Sequence, residues 1–324
     1  MFQYNQNIVR KIKILLIGLG HMGNIHSRVI SQNPATVLAG VVEPSNNRFS
    51  ESLKNVKVFK NINDINFEID AFDAAIISSN TGTHFDIANK LLSLGIPILI
   101  EKPMVKVSSE LTKLINYSLK RNIPLRCGLL EIYNPIFTYI NELKLKNILS
   151  INIYRHSQPI INKKLDSIAT DLTIHDISVL NYIFPNSDLK IKSFNKKTIK
   201  NEVEMVNFIA NLGKLHLNIS TNRLSHVKLR KWSILTMDKQ YEIDLTNKVI
   251  DIYDSGKIEN KGSEIIVSKS NHQKVSFVNS KEAAAIQLDA FVQNIQINKT
   301  DVKHIDLIRK THNQVFKLEK MLTR

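Results

Sequence analysis

A single cysteine, Cys127, leaves no partner for an internal disulfide and suits a reducing compartment. Set in PLRCGLL, it reads as a buried strand residue and not as a reactive thiol. Long apolar runs are missing as well: no stretch approaches the ~18 residues that a membrane span needs. The amino terminus, MFQYNQNIVRKIKILLIGLG, places a basic stretch before an apolar one. Ile14 to Leu19 is too short for a signal sequence, however, and a glycine-rich turn follows where a small-residue cleavage site would stand. A soluble, cytoplasmic protein with no membrane partner is expected. With 10 glycines and 8 prolines, 43% hydrophobic and 23% charged residues, the composition is globular and excludes low complexity.

Acidic residues are the minority charge, 29 against 44 lysines and arginines, for a net charge of +15. These cations are scattered and form no run or helical stripe, so no nucleic-acid partner is expected. Lysine, asparagine and isoleucine are abundant together, as AT-rich codons produce. The charge therefore reads as a solvated surface whose positive potential also draws anions.

A chain of 324 residues has length for two cores. From Lys11 to about Arg126, short β-branched runs alternate with helical periodicity, which marks βαβ units and a parallel sheet. KIKILLIG, TVLAGVVEP, FDAAIISS and PILIE read as strands. THFDIANKLLSLG reads as a helix closed by Gly95. After Cys127, segments such as LSINIYRHS, MVNFIANLGKLHLNISTNR and KWSILTMDKQYEIDL predict antiparallel strands, interrupted by one helix in DLTIHDISVLNYIF. The expected class is α/β: a parallel-sheet domain over 1–126 and a second α/β domain over 127–324, whose terminal helices can pack back on the first domain.

GLGHMG supplies Gly18, Gly20 and Gly23 in G-x-G-x-x-G spacing, with His21 and Met22 between the last two, after a strand and at the start of a helix. In that context the glycines permit a tight turn, close approach to a pyrophosphate, and close helix–strand packing, with the helix amino terminus facing the anion. Glu43 ends the second strand twenty residues beyond Gly23, where a carboxylate accepts from ribose hydroxyls and repels a 2′-phosphate. NAD is favoured, while Arg48 and Ser45 keep NADP open. In ILIEKPM, Glu101 and Lys102 end another parallel strand, the edge where ligands bind in such sheets, and the following proline suits a cis bond. DLTIHDISVL, read as a helix, puts Asp171 and His175 one turn apart on one side, with Asp176 pointing elsewhere. Taken alone, this pair fits either a hydrogen-bonded core or a functional face. Asp171, His175 and Asp176 do not place three ligands on one helical face, and no metal site is expected.

GLGHMGNIH, the THFDIANKLLSLGIPILIEKP block and DLTIHDI, in this order, resemble the Gfo/Idh/MocA family of sugar and cyclitol oxidoreductases over nearly the whole chain. The resemblance implies a Rossmann domain followed by an α/β domain with a large open, mostly antiparallel sheet that commonly joins copies into dimers or tetramers. It implies a catalytic group of Lys102, Asp171 and His175. Implied cofactor contacts extend to Ser79, Asn80, Thr81, His84 and Glu101, although His84 also fits a helix-start histidine that touches only backbone. Oxidising a secondary alcohol requires a base for the hydroxyl proton while the carbinol hydride moves to the nicotinamide. His175 is the first candidate base, Lys102 the second or a stabiliser of developing alkoxide charge, and Asp171 an orienting group.

GLLEIYNPIF, YRHSQP and STNRLSHVKLRKWSI further resemble a subgroup containing UDP-N-acetylglucosamine 3-dehydrogenases, some of which prepare diamino sugars for lipid A. Leu129 and Ile132 stand where that subgroup has His and Arg, and Ser178 where it has Asp. Glu131, Asn134, Arg155 and Arg223 are candidate substrate contacts, each with a structural role as the alternative. The expected activity is NAD-dependent oxidation of a sugar ring hydroxyl, at C3 of UDP-N-acetylglucosamine first. Another sugar or inositol dehydrogenase, or a non-catalytic NAD-binding regulator, is the alternative.

Overall fold

The computed structural model describes residues 10–45, 56–159, 166–254, 258–261, 264–267 and 271–323. They divide into two compact units, 1–130 with 282–309 and 131–281 with 310–324.

In the first unit the strands β1 (Ile12–Ile17), β2 (Thr36–Val42), β3 (Lys57–Phe59), β4 (Ala74–Ile77), β5 (Ile98–Ile100) and β6 (Leu125–Cys127) form one sheet in the order β3-β2-β1-β4-β5-β6. Every pairing is parallel. Helices α1 (His21–Gln32), α2 (Thr81–Ser93) and α3 (Ser108–Arg121) make the crossovers, as short parallel strands require. Parallel strands are covered on both faces, which is why Ile14, Leu16, Val41, Ile76 and Leu99 come from nearly unbroken apolar runs. Val29 and Ile30 of α1 pack on them, together with Leu288 and Phe291 of α6 (Ala283–Gln296). Thus a helix distant in sequence completes this core. Gly95 ends α2 at φ 76°, a left-handed position that costs a glycine nothing.

Cys127 is fully buried at the end of β6, and its N–H donates to His304 Nε2 at 3.2 Å from helix α7 (Val302–Leu322). Burial, and then the nearby Arg126 guanidinium, hold the His304 pKa well below the usual imidazole range. The ring is therefore neutral when folded, and protonating Nε2 would break the bond from Cys127. An unfolded histidine takes up its proton near pH ~6.5. The stability that neutral His304 contributes is thus present above that pH and lost as pH falls below it. Urea unfolding at pH ~8 and ~5 should show this loss, and a His304→Gln variant, whose side-chain oxygen can still accept from Cys127, should lose less on acidification. An unchanged pH slope in that variant would contradict the assignment.

The second unit begins with α4 (Pro135–Glu142), capped by Asn134, whose side chain accepts from the N–H of Ile136 at 3.1 Å. Its sheet is eight-stranded, β16-β13-β12-β11-β7-β10-β9-β8, with β7 (Ile148–His156), β8 (Leu189–Ile199), β9 (Glu202–Leu212), β10 (Leu215–Asn222), β11 (Leu229–Thr236), β12 (Lys239–Asp244), β13 (Val249–Asp254) and β16 (His272–Ser276). A separate hairpin pairs β14 (Ile258–Lys261) with β15 (Glu264–Val267). All neighbours in the large sheet are antiparallel except β7 and β10. That exception departs from the hairpins that the alternation predicts. Between β7 and β10 the chain passes through α5 (Ile174–Ile183) and the strands β8 and β9, a crossover long enough for parallel pairing. One sheet face is apolar, with Ile151, Ile153, Phe208, Ile219, Trp232 and Ile243 buried, and Trp232 meets Phe137 of α4 at 4.9 Å between ring centroids. The other face carries polar ladders such as Asn218–Asn152 at 2.8 Å and Asn207–Asn195 at 3.1 Å. Among the described residues no helix is long and apolar enough to cross a membrane.

Candidate active site

In the first unit the glycine loop follows β1 directly. Gly18 sits at φ 93°, and a Cβ there would stand 2.8 Å from the backbone of Ser78 and Ser79. At Gly23 a Cβ would stand 2.0 Å from the Gly18 carbonyl, so α1 can approach the loop only as glycine. Gly20 differs: nothing lies within 4 Å of its missing Cβ, which leaves the backbone open to a ligand. It is also the N-cap of α1 and offers no side-chain cap to the first-turn N–H groups. The Asn24 amide pins the loop from within, donating to the Leu19 and Gly20 carbonyls at 3.2 and 3.1 Å. His21 is exposed and Met22 partly so in this first turn. Glu43 is 2% exposed, and its carboxylate accepts from Leu19 N–H at 2.8 Å and Ser45 N–H at 3.0 Å. These residues fit a dinucleotide: an open glycine backbone at a helix amino terminus, with a fixed carboxylate at the end of the next strand. Arg48 lies outside the described residues.

Around β4 and β5 the sequence candidates form a bonded set. Asn80 caps α2, accepting from Gly82 N–H at 3.0 Å, Thr81 begins that helix, and the hydroxyls of Ser79 and Thr83 meet at 2.8 Å. Both ring nitrogens of His84 face carbonyls, Nδ1 that of Pro103 and Nε2 that of Ser79, each at 3.1 Å. Burial pushes the His84 pKa down, against the two carbonyls that favour its protonated form. Glu101 is buried, and its Oε1 accepts from His26 Nε2 at 2.8 Å while its Oε2 accepts from Lys102 N–H at 3.2 Å. Lys102 is half-buried and precedes a cis proline, Pro103.

In the second unit the DLTIHDISVL segment is not α-helical throughout. Ala169–Thr173 is a π-helical turn that feeds into α5, so Asp171 lies on the wide turn and His175 on the α-helix. Such turns relax the ordinary spacing and recur at functional sites. Asp171 accepts from Arg223 Nη2 at 3.0 Å, and the same nitrogen donates to the Asp166 carbonyl at 2.6 Å. His175 is half-buried, and its carbonyl accepts from the Ser178 hydroxyl at 2.7 Å.

Asp176, unassigned from sequence, holds a buried network. Arg155 Nε and Nη2 donate to its two oxygens at 2.5 and 3.0 Å, and Trp232 Nε1 donates at 3.0 Å. Arg155 is 1% exposed and donates also to Glu131 Oε1 at 3.3 Å, beside Arg230 at 3.7 Å. Burial disfavours the Arg155 charge, but Asp176 and Glu131 more than offset it and push the pKa up. Arg230 is shifted down by burial and then by Arg155, and Lys228 is shifted down mainly by Arg230. Asn134 donates to Glu131 Oε2 at 3.4 Å. The four candidate substrate contacts therefore fall into two bonded groups, Glu131, Asn134 and Arg155 in one and Arg223 with Asp171 in the other. Sequence reading missed His26 and Asp176. A signal for His26 exists: three residues after Gly23, it shares the helix face that turns toward the sheet. Among the described residues no group of three or more histidine, cysteine or acidic side chains is placed to hold a metal.

Residues 12–128 match the family model described as "Oxidoreductase family, NAD-binding Rossmann fold". Over 248 residues the chain is 24% identical to the UDP-N-acetylglucosamine 3-dehydrogenase of Acidithiobacillus ferrooxidans, covering 74% of this chain and 76% of that protein. The solved structure of that enzyme shares the fold, with a TM-score of 0.78 at 19% identity over 94% of this chain and 96% of the other. An inositol 2-dehydrogenase of Corynebacterium glutamicum is 22% identical over 184 residues, 54% of each chain. Over residues 12–128 the chain is therefore similar to the Gfo/Idh/MocA oxidoreductases, through the model of their NAD-binding Rossmann fold.

Proposed function

We propose that this protein is a NAD-linked dehydrogenase that oxidises a ring hydroxyl of a sugar or nucleotide sugar to the ketone, with C3 of UDP-N-acetylglucosamine the first position to test. The observation that carries this reading is the convergence of β1, β2 and β5, which deliver the glycine loop, Glu43 and Lys102 to one edge of one parallel sheet. The likeness to an enzyme named for that substrate supports the choice of sugar, and the inositol dehydrogenase supports the wider class.

In this reading Gly18, Gly20 and Gly23, with His21 and Met22 of the first turn, hold the pyrophosphate, and Glu43 the adenosine ribose. Ser79, Asn80, Thr81 and the Glu101–Lys102 turn hold the remainder. Bound NAD supplies the hydride acceptor. His175 takes the hydroxyl proton and Lys102 donates a hydrogen bond to the oxygen that develops charge, or the two exchange roles. Asp171, fixed by Arg223, orients His175 or holds a neighbouring hydroxyl. Glu131, at the edge of the Arg155 network, and Arg223 border the substrate. The protein acts in the cytoplasm as a homo-oligomer that joins through its large sheet, which light scattering would check.

Purified protein incubated with NAD and a panel of UDP-sugars, free sugars and inositol should form NADH with a nucleotide sugar. NAD binding without turnover on any member would favour the regulator, and turnover on inositol alone would move the substrate. A Glu43→Ala variant should bind NAD about 10- to 100-fold more weakly, the worth of one bond to a charged acceptor, and should lose its preference over NADP. Unchanged affinity in a fluorescence titration would remove Glu43 from the cofactor site.

A further inference from the structure

We infer that His26 and His84 are positioning residues for Lys102, two buried imidazoles that clamp the Glu101–Lys102–Pro103 turn from the helices after the first and fourth strands. The inference rests on Lys102 serving the reaction as proposed above, but the clamp itself is a matter of geometry.

His26 lies on α1, directly after the glycine loop, and its Nε2–H donates to Glu101 Oε1 at 2.8 Å. The second Glu101 oxygen has no freedom to swing away. It accepts from Lys102 N–H at 3.2 Å, and a Cβ on Gly128 would stand 2.6 Å from it. His84 lies on α2 and packs the other side, its Nδ1 facing the Pro103 carbonyl and its Nε2 the Ser79 carbonyl, each at 3.1 Å, so that the neutral ring donates to one of them and the imidazolium to both. The residues before and after Lys102 thus each face a buried ring nitrogen, one from α1 and one from α2. Both histidines are 1% exposed, so neither ring is placed to exchange a proton with a substrate.

A purely stabilising role explains this poorly. Burying a polar pair forfeits hydration that apolar side chains of similar volume would not forfeit, and such replacements are often neutral or better for stability. What apolar packing does not supply is directional restraint of the backbone on both sides of one lysine. Displacing a reacting group by about 1 Å costs on the order of 100-fold in rate.

The test compares His26→Leu, which removes the donor, with His26→Gln, whose Nε2 can reach the same oxygen, and adds His84→Leu. Three readouts are taken: kcat at saturating NAD, NAD affinity by fluorescence, and the resonance of Lys102 after reductive 13C-methylation, assigned by its loss in Lys102→Arg. His26→Leu and His84→Leu should lower kcat by about 100-fold with NAD affinity retained, and should shift or split the Lys102 resonance. His26→Gln should restore most of kcat and the single resonance. Wild-type kcat with an unchanged resonance in His26→Leu and His84→Leu would overturn the clamp, as would lost NAD affinity with kcat preserved. If a leucine variant fails to fold, the other and His26→Gln still decide. Should the wild-type protein turn over no substrate, the proposed function fails while the Lys102 resonance still tests the clamp.

Discussion

Lys102→Ala should still bind NAD and should turn over its sugar about 100- to 10,000-fold more slowly, the range that a positioned acid–base group supplies. The expectation follows from its place at the end of β5, directly after a buried carboxylate that accepts from its own N–H. The glycine-loop and Glu43 contacts are unaffected by the truncation, so KM for NAD should change far less than kcat. His175→Ala should fall within the same range. If His175 is the base, its loss should also remove the acidic limb of the kcat pH profile, whereas loss of Lys102 should leave that limb in place. Full activity in either variant, followed as NADH formation, would sink the proposed mechanism.

The largest effect on stability should come from Asp176→Ala. This change strands Arg155, which is 1% exposed, with Glu131 as its remaining carboxylate, and it removes the acceptor of Trp232 Nε1. Breaking a buried pair from one side leaves an uncompensated charge and costs about 3–5 kcal/mol. Replacing both partners, Asp176→Leu with Arg155→Met, should recover part of the loss, because the stranded charge is gone while Trp232 Nε1 still lacks its acceptor. Urea unfolding of the single and double variants forms the cycle. A single variant within about 0.5 kcal/mol of wild type, the ordinary effect of a surface change, would show that the network holds nothing. The loss should reach function too, since Asp176 shares α5 with His175.

Much of the first unit was legible because its signals are local. Gly23 is required by the Gly18 carbonyl within the same turn and Gly18 by its own φ of 93°, and the strand runs between them and Cys127 are short, β-branched and regularly spaced. The alternating segments likewise marked the second sheet. What escaped depends on residues far apart in sequence. The contacts that bring a terminal helix onto the first core are one case: α6 lies some 250 residues after α1, and Arg28 meets Glu282 at 2.8 Å across a separation of 254. Parallel pairing of β7 with β10 is set by the crossover between them and leaves no mark in either strand's alternation. The π-turn at Ala169–Thr173 moves Asp171 off the regular helix that its spacing to His175 suggests. Asp176 reads as a stray charge until Arg155, 21 residues earlier, and Trp232, 56 residues later, are seen to converge on it. In the same way His26 closes GLGHMGNIH, but its pairing with Glu101, 75 residues away, leaves no mark in either motif.

On the proposed function this chain moves a hydride from a sugar carbon to NAD. Incubation with NAD and UDP-N-acetylglucosamine deuterated at C3, followed by mass spectrometry of the cofactor, follows that hydride itself. Reduced cofactor should carry the deuterium, and the 3-keto sugar should have lost it. Reduced cofactor without the label would place the oxidation at another carbon. NAD bound but never reduced, with this or any other sugar or cyclitol, would contradict the account.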